Sequence, residues 1–309
     1  MNYLTVGNEL EGASQLVLGC MRLAEHSPEE IISVLETAGE VGINFFDHSD
    51  VYAGGQSEAK FAQALQLAKI PRDRFLIQSK CGLRDVHSNY HFDFSKDYII
   101  SSVEASLKRL QTDYLDVLLL HRPDALVEPE EVAEAFSRLH QAGKVRYFGV
   151  SNQNPYQIEL LQKSLEQPLI INQLQFGPAH TPMIDAGLNS NMLNQLAVNR
   201  DGGVLDYCRL QGITIQPWSP FQVDLQQGLF MKHPKYAQLT AVLEKFAAAY
   251  QLSFEAMVLA WILRHPAHMQ PIVGSMNPDR LRSMAAAFDA ELSRADWYEI
   301  YKSAGNPLP

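Results

Sequence analysis

The stretch INFFDHSDVYAGGQSEAKFAQAL, residues 43–65, runs largely apolar from Ile43 to Phe46 and then stops on a carboxylate, Asp47. Five residues on, Tyr52 stands in a turn opened by Gly54 and Gly55. A buried strand that ends on an acid has two readings. Either the acid caps a turn, or it stands with the tyrosine at the mouth of a site, and the rest of the chain has to decide.

Seven further short runs share the make-up of this one: LVLG (16–19), RFLIQSK (74–80), LDVLLLH (115–121), RYFGVS (146–151), IINQLQF (170–176), ITIQPWS (213–219) and QPIVGS (270–275). Each is too short for a helix and nearly continuous in Val, Ile, Leu and Phe, as strands buried on both faces of a parallel sheet are. Helical patterns separate them. Ser27-Pro28 with Glu30 forms a capping box, and Glu128-Pro129, Asn154-Pro155 and Asn277-Pro278 put proline where a missing N–H costs nothing. In YIISSVEASLKRL (98–110), Ile99, Val103, Leu107 and Leu110 share one face, and Gly143 with Lys144 marks another helix end.

Eight strands alternating with helices, with no Pro- or Ser-rich linker, predict a single (β/α)8 barrel over residues 1–309. Two connections are oversized, 177–199 and 220–250, the second partly helical. In a barrel they rise from the C-terminal face, where catalytic and specificity elements sit.

With 46% hydrophobic and 19% charged residues, the chain has material for a large core. A formal charge of −10 argues against nucleic acid or an anionic membrane as a partner. The opening MNYLTVGNEL has neither a basic nor an apolar leader region, and no apolar run reaches a membrane span, so a soluble cytoplasmic protein is expected. Cys20, Cys81 and Cys208 are odd in number and far apart, which suggests reduced thiols and no zinc ribbon.

The third strand ends on Lys80 and the fourth on His121, so with Asp47 and Tyr52 four ionisable groups meet at strand ends. Singly, each reads as a satisfied polar residue. Together they read as one site suited to proton transfer to a carbonyl oxygen. Lys80 is expected to lower the Tyr52 pKa, Asp47 to keep Lys80 charged and aimed, and neutral His121 to donate a hydrogen bond to the substrate oxygen. The chain lacks G-x-G-x-x-G after its first strand, G-x-x-x-x-G-K-[ST] and H-E-x-x-H. His87 and His91 are four apart, but no third ligand accompanies them, so no metal is expected.

Across nearly its whole length the sequence resembles the aldo-keto reductase superfamily, and a bacterial branch of oxidoreductases within it. FFDHSDVYAGGQSEAKFAQAL is similar to the first signature of that family, SLKRLQTDYLDVLLLHRPD to the second, and IQSK to its lysine segment. The resemblance implies a TIM barrel that binds NADP(H), or alternatively NAD(H), without a Rossmann domain, and Asp47, Tyr52, Lys80 and His121 as catalytic residues. It implies a carboxamide site at Ser151, Asn152 and Gln173, a stacking residue at Trp218, and pyrophosphate contacts at Ser219, Pro220 and Phe221. Adenosine-phosphate contacts fall at Gly274, Ser275, Met276 and Arg280, and Gly19, Met21 and Arg22 line the cofactor from the first strand. The implied partner is a small carbonyl compound, met by a monomer or weak oligomer. Phe92, Phe94, Met21, Arg22, Trp218 and Phe221 suggest a partly apolar rim.

Departures from the family pattern bear on the cofactor. Trp218 replaces a common tyrosine, Gly274 a phosphate-binding lysine, Met284 an asparagine, and Ala53 a glycine. Fewer charges are then left for the 2′-phosphate. The rival reading is a nicotinamide-nucleotide-sensing regulatory subunit with weak reductase chemistry.

Overall fold

The computed structural model describes residues 1–309. Eight parallel strands form one sheet: β1 (Val17–Gly19), β2 (Phe45–Asp47), β3 (Leu76–Cys81), β4 (Leu115–Leu120), β5 (Val145–Ser151), β6 (Leu169–Gln175), β7 (Thr214–Trp218) and β8 (Ile272–Val273). They pair in the order β7-β6-β5-β4-β3-β2-β1-β8. The Gln270 N–H donates to Ile215 O at 3.0 Å across the remaining seam, so the sheet is a nearly closed barrel ringed by helices. All eight predicted strands are present, most of them trimmed by a residue or two.

Strand alternation sets what faces inward. Phe45 belongs to a small cluster inside the barrel and Phe46 to the large cluster under the helices; Val117 and Leu119 lie inside, Leu118 and Leu120 outside. Because side chains alternate with a period of two, the parity carries Asp47 inward after Phe45, and His121 inward after Leu119. The same parity puts Gln173 inside after Ile171. The inner cluster is closed from below by a hairpin, Tyr3–Val6 with Leu10–Ser14, which inserts Val6, Leu10 and Ala13. This plug has no long apolar run, and the sequence reading passed over it.

The helix signals hold. Ser27 and Glu30 form the capping box, Asn154 and Gln157 form a second, and Asn277 accepts from the Arg280 N–H. The helix Lys96–Leu110 buries Ile99, Val103, Leu107 and Leu110. Within 177–199 lies a helix, Pro182–Leu188, and Gly177 lies so close to the Pro220 carbonyl that an added Cβ would be 2.3 Å from its oxygen. Residues 237–250 form a helix that packs on Phe254–Leu263 and Arg294–Ser303. No single helix is long and apolar enough to cross a membrane.

Candidate active site

Asp47 ends β2 inside the barrel, and the backbone continues the β3 ladder, with His48 N donating to Gln78 O at 2.8 Å and Asp50 N to Lys80 O at 3.1 Å. The chain then turns sharply through Ala53, Gly54 and Gly55, at φ of 50°, 62° and 86°. Ala53 is thus strained by its Cβ where glycine would be free, so the change from glycine acts on the backbone and not only on packing. The turn folds Tyr52 back over the barrel mouth.

Lys80 is 1% exposed, and its ammonium has three partners. It bonds Asp47 at 2.7 and 2.8 Å, the His48 carbonyl at 2.8 Å and the Tyr52 hydroxyl at 3.0 Å. Burial pulls its pKa down, but Asp47 and Tyr52 more than offset that, and the net direction is upward. For Tyr52 burial dominates: it pushes the phenol up, the pull of Lys80 is smaller, and the net direction is upward. The expected lowering is therefore corrected, because withdrawing a phenolate from water costs more than one ammonium returns.

His121 stands across from Tyr52, ring edge to face at 6.1 Å between centroids. Burial, then Lys80 and Arg122, hold its pKa well below the ordinary range, so the ring is neutral, as the sequence reading required. Its Nδ1 lies 3.1 Å from Ser49 Oγ.

Beneath Asp47 runs a column of buried glutamines. Gln78 and Gln173 donate to Asp47 Oδ1 at 2.6 and 3.0 Å, and both donate to Gln216 Oε1 at 3.0 and 3.1 Å. Gln216 donates to Gln270, which donates to the Ser14 carbonyl, each at 2.8 Å. A carbonyl and a carboxylate can only accept, so both ends of the column fix every amide the same way round. Gln173, whose Nε2 is engaged below, is left with Oε1 as its free acceptor.

One cleft is lined by Asp47, Tyr52 and His121 together with Gly19, Met21, Arg22, Ser151, Asn152, Gln173, Trp218, Ser219, Pro220, Phe221, Gly274, Ser275 and Arg280. Lys80 lies beneath its floor. Met276 does not line it and packs against the core. Phe94 is buried too, against Gly82, so it forms no part of the rim. His87 and His91 are exposed, and His91 Nδ1 sits 2.6 Å from the Asn89 carbonyl.

The cleft carries groups of the kind that hold a nicotinamide dinucleotide. Trp218 presents an indole fixed by its N–H to Asn152 Oδ1 at 3.1 Å, Asn152 Nδ2 donates to Ser151 Oγ at 2.7 Å, and Gln173 offers an amide acceptor. At the far end, Arg280 has no carboxylate partner. Sequence reading missed three polar or charged lining residues, Arg122, Gln222 and Glu255, and the apolar Leu225, Leu229, Met231 and Ile272. Only Arg122 carried a signal, as the neighbour of His121 in HRPD, and it proves to be a guanidinium without a carboxylate, 5.5 Å over the Trp218 ring.

Residues 15–304 match the aldo/keto reductase family model. The oxidoreductase YdhF of Escherichia coli is 38% identical, covering 97% of each chain. A 6-dehydroglucose reductase of Agrobacterium fabrum is 32% identical, covering 98% of each. A thermostable aldo-keto reductase, Tm1743, solved with the inhibitor epalrestat, shares the fold at a TM-score of 0.77 and 24% identity, over 98% of this chain and 100% of that one. The chain belongs to the aldo/keto reductase family. It is an oxidoreductase of the carbonyl-reducing class, and enzymes of this family use NAD(P)H.

His48, beside the site, is fully buried against Phe61 at 4.6 Å, and neither ring nitrogen has a partner. Burial, then Lys80 and Arg72, depress its pKa to about 3. As pH falls below the ordinary histidine value of about 6.5, the unfolded chain takes up a proton that the fold refuses, costing about 1.4 kcal/mol per pH unit. His48→Leu is expected to match or exceed wild-type stability at neutral pH, since two unpaired nitrogens are lost. Its urea midpoint should also fall less steeply from about pH 6.5 to about pH 4. Parallel slopes for the two proteins sink the assignment.

Proposed function

We propose that the protein reduces an aldehyde or ketone to an alcohol with NADPH, Tyr52 acting as proton donor. The observation that carries this is the Asp47–Lys80–Tyr52 contact set at the floor of a cleft whose walls suit a dinucleotide. A bound nicotinamide dinucleotide supplies the hydride. Tyr52 holds its proton at neutral pH, because burial favours the phenol. Lys80 fixes the hydroxyl from below and steadies the phenolate left after transfer, while Asp47 keeps Lys80 charged. His121, neutral, donates a ring N–H to the same substrate oxygen and orients the carbonyl.

Arg280 and Ser275 at the far end support NADPH over NADH. Gly274 tests this, since its backbone lies outside the left-handed region and a Cβ there meets nothing within 4 Å. Gly274→Lys is expected to raise the NADPH-over-NADH binding preference about tenfold, the scale of one charge-assisted hydrogen bond. Titration of the intrinsic tryptophan fluorescence, to which Trp218 in the cleft contributes, with each dinucleotide measures it, and an unchanged ratio removes the phosphate from this end of the cleft.

A polar substrate is favoured over the aromatic or aliphatic carbonyl compound that a partly apolar rim would suit. Beyond Trp218 the face opens into a hollow of about 710 Å³ lined by Arg122, Asn154, Gln157, Gln175, His180 and Arg200, among others. Such a wall suits a hydroxyl-bearing carbonyl compound, in keeping with the relative named a 6-dehydroglucose reductase.

The test is NADPH oxidation by the purified protein over a panel of aliphatic, aromatic and hydroxylated aldehydes and ketones. Turnover, fastest with hydroxylated members, is the expected result. Tight NADPH binding with no turnover of any member makes the protein a nucleotide-sensing subunit instead.

A further inference from the structure

Two side chains behind His121 have no part in the mechanism above. Ser49, 0% exposed, places its Oγ 3.1 Å from His121 Nδ1 and 3.2 Å from Asp50 Oδ1. A serine hydroxyl has one proton to give, so it cannot donate to both. Which neighbour receives that proton decides which imidazole nitrogen carries the ring proton, and hence what His121 Nε2, which has no protein partner, offers the cleft.

We propose that Ser49 and Asp50 are positioning residues that set the tautomer of His121 through the chain Asp50–Ser49–His121. With Asp50 protonated, its O–H donates to Ser49 Oγ, Ser49 donates to Nδ1, and the ring proton stands on Nε2, able to polarise a carbonyl. When Asp50 releases its proton to solvent, the Ser49 hydroxyl turns to the carboxylate. Nδ1 must then be the donor, so the ring proton moves from Nε2 to Nδ1 and Nε2 faces the cleft as a bare acceptor. One proton leaves, from Asp50, and the imidazole stays neutral throughout.

The surroundings support a titration within reach of neutral pH. Burial, then Glu58, raise Asp50 to about 7, opposed by the Ser49 hydrogen bond, Arg109 and the Val51 N–H. Glu58 is itself paired with Arg109 at 2.7 Å, and Cys81 and Tyr98 also face Asp50. The groups facing His121 are Lys80, Arg122 and Tyr52, and the two cations disfavour a second ring proton, so the tautomer change is not masked by imidazolium.

The inference rests on His121 directing the carbonyl, and its test separates the two ideas. Nitrogen-15 NMR of the histidine-labelled full chain, with and without NADPH, reports the His121 tautomer from about pH 5 to about pH 9 whether or not the protein turns anything over. Wild type is expected to move from Nε2–H to Nδ1–H with rising pH. Reductase kcat/KM should fall with the same midpoint by about 10²-fold, the scale of losing one donor to a developing oxyanion. Asp50→Asn and Ser49→Ala should each abolish the pH dependence of both signals, and circular dichroism checks that they fold. A wild-type tautomer that does not change with pH overturns the proposal, as does a change that persists in folded Asp50→Asn or Ser49→Ala. A tautomer change without any turnover upholds the relay and overturns the reductase reading instead.

Discussion

Tyr52→Phe is expected to bind NADPH as wild type does and to lose carbonyl turnover by about 10²-fold or more, the contribution of a positioned general acid. Only one oxygen is removed. Lys80 keeps the Asp47 carboxylate and the His48 carbonyl, so the ammonium stays satisfied and the fold should change by no more than about 1 kcal/mol. The ring still walls the cleft, which is why cofactor affinity should hold. The loss should therefore lie in kcat, read from NADPH oxidation at saturating cofactor. Turnover within about tenfold of wild type would hand the proton to another donor, with His121 the nearest ring. Because burial lifts Tyr52 above the ordinary tyrosine value of about 10, its own titration lies far into the alkaline range. A rate change near neutrality then belongs to a different group, and Asp50 is the one the structure offers.

Legibility followed strand parity. Once Phe45, Val117 and Ile171 are known to face the barrel interior, counting by twos delivers Asp47, Leu119 with His121, and Gln173 without further information. Short runs closed by polar residues were therefore enough for the barrel and for Asp47, Lys80 and His121 at its strand ends, with Tyr52 in the turn beyond β2. What escaped depends on partners remote in sequence. The glutamine column joins Gln78, Gln173, Gln216 and Gln270, each an unremarkable polar residue within its own strand or just before one. The N-terminal hairpin closes the barrel floor with only Val6, Leu10 and Ala13, too few to make a pattern. Tyr52 was placed correctly but its pKa direction was not, because the sequence names the cation and hides how dry the site is. Met276 and Phe94 failed for the opposite reason: apolar side chains next to a site are as well served by the core as by a ligand.

The second large effect concerns Lys80. Lys80→Met leaves the buried carboxylate of Asp47 with two amide donors, Gln78 and Gln173, and no counter-charge. Orphaning one half of a buried pair costs about 3–5 kcal/mol, enough to consume a large share of a typical domain's stability. Adding Asp47→Asn removes the stranded charge while keeping most of the shape. The double variant should therefore recover much of the lost stability and still fail to turn over, since nothing remains to fix the Tyr52 hydroxyl or steady its phenolate. Urea unfolding of wild type, the two single variants and the double variant gives the coupling energy directly. A double variant no more stable than Lys80→Met would mean that packing, and not charge, holds the pair. The pH dependence has a definite sign. Lys80 is raised in the fold, so the stability it contributes is complete below the unfolded lysine value of about 10.4 and is lost as pH climbs through the higher folded value. Wild type should lose stability above about pH 10.4 more steeply than the double variant, which has no ammonium there to titrate. The same inequality explains the site's chemistry: across the whole neutral range the ammonium stays charged, and Tyr52 keeps both its proton and the partner that receives its charge when the proton leaves.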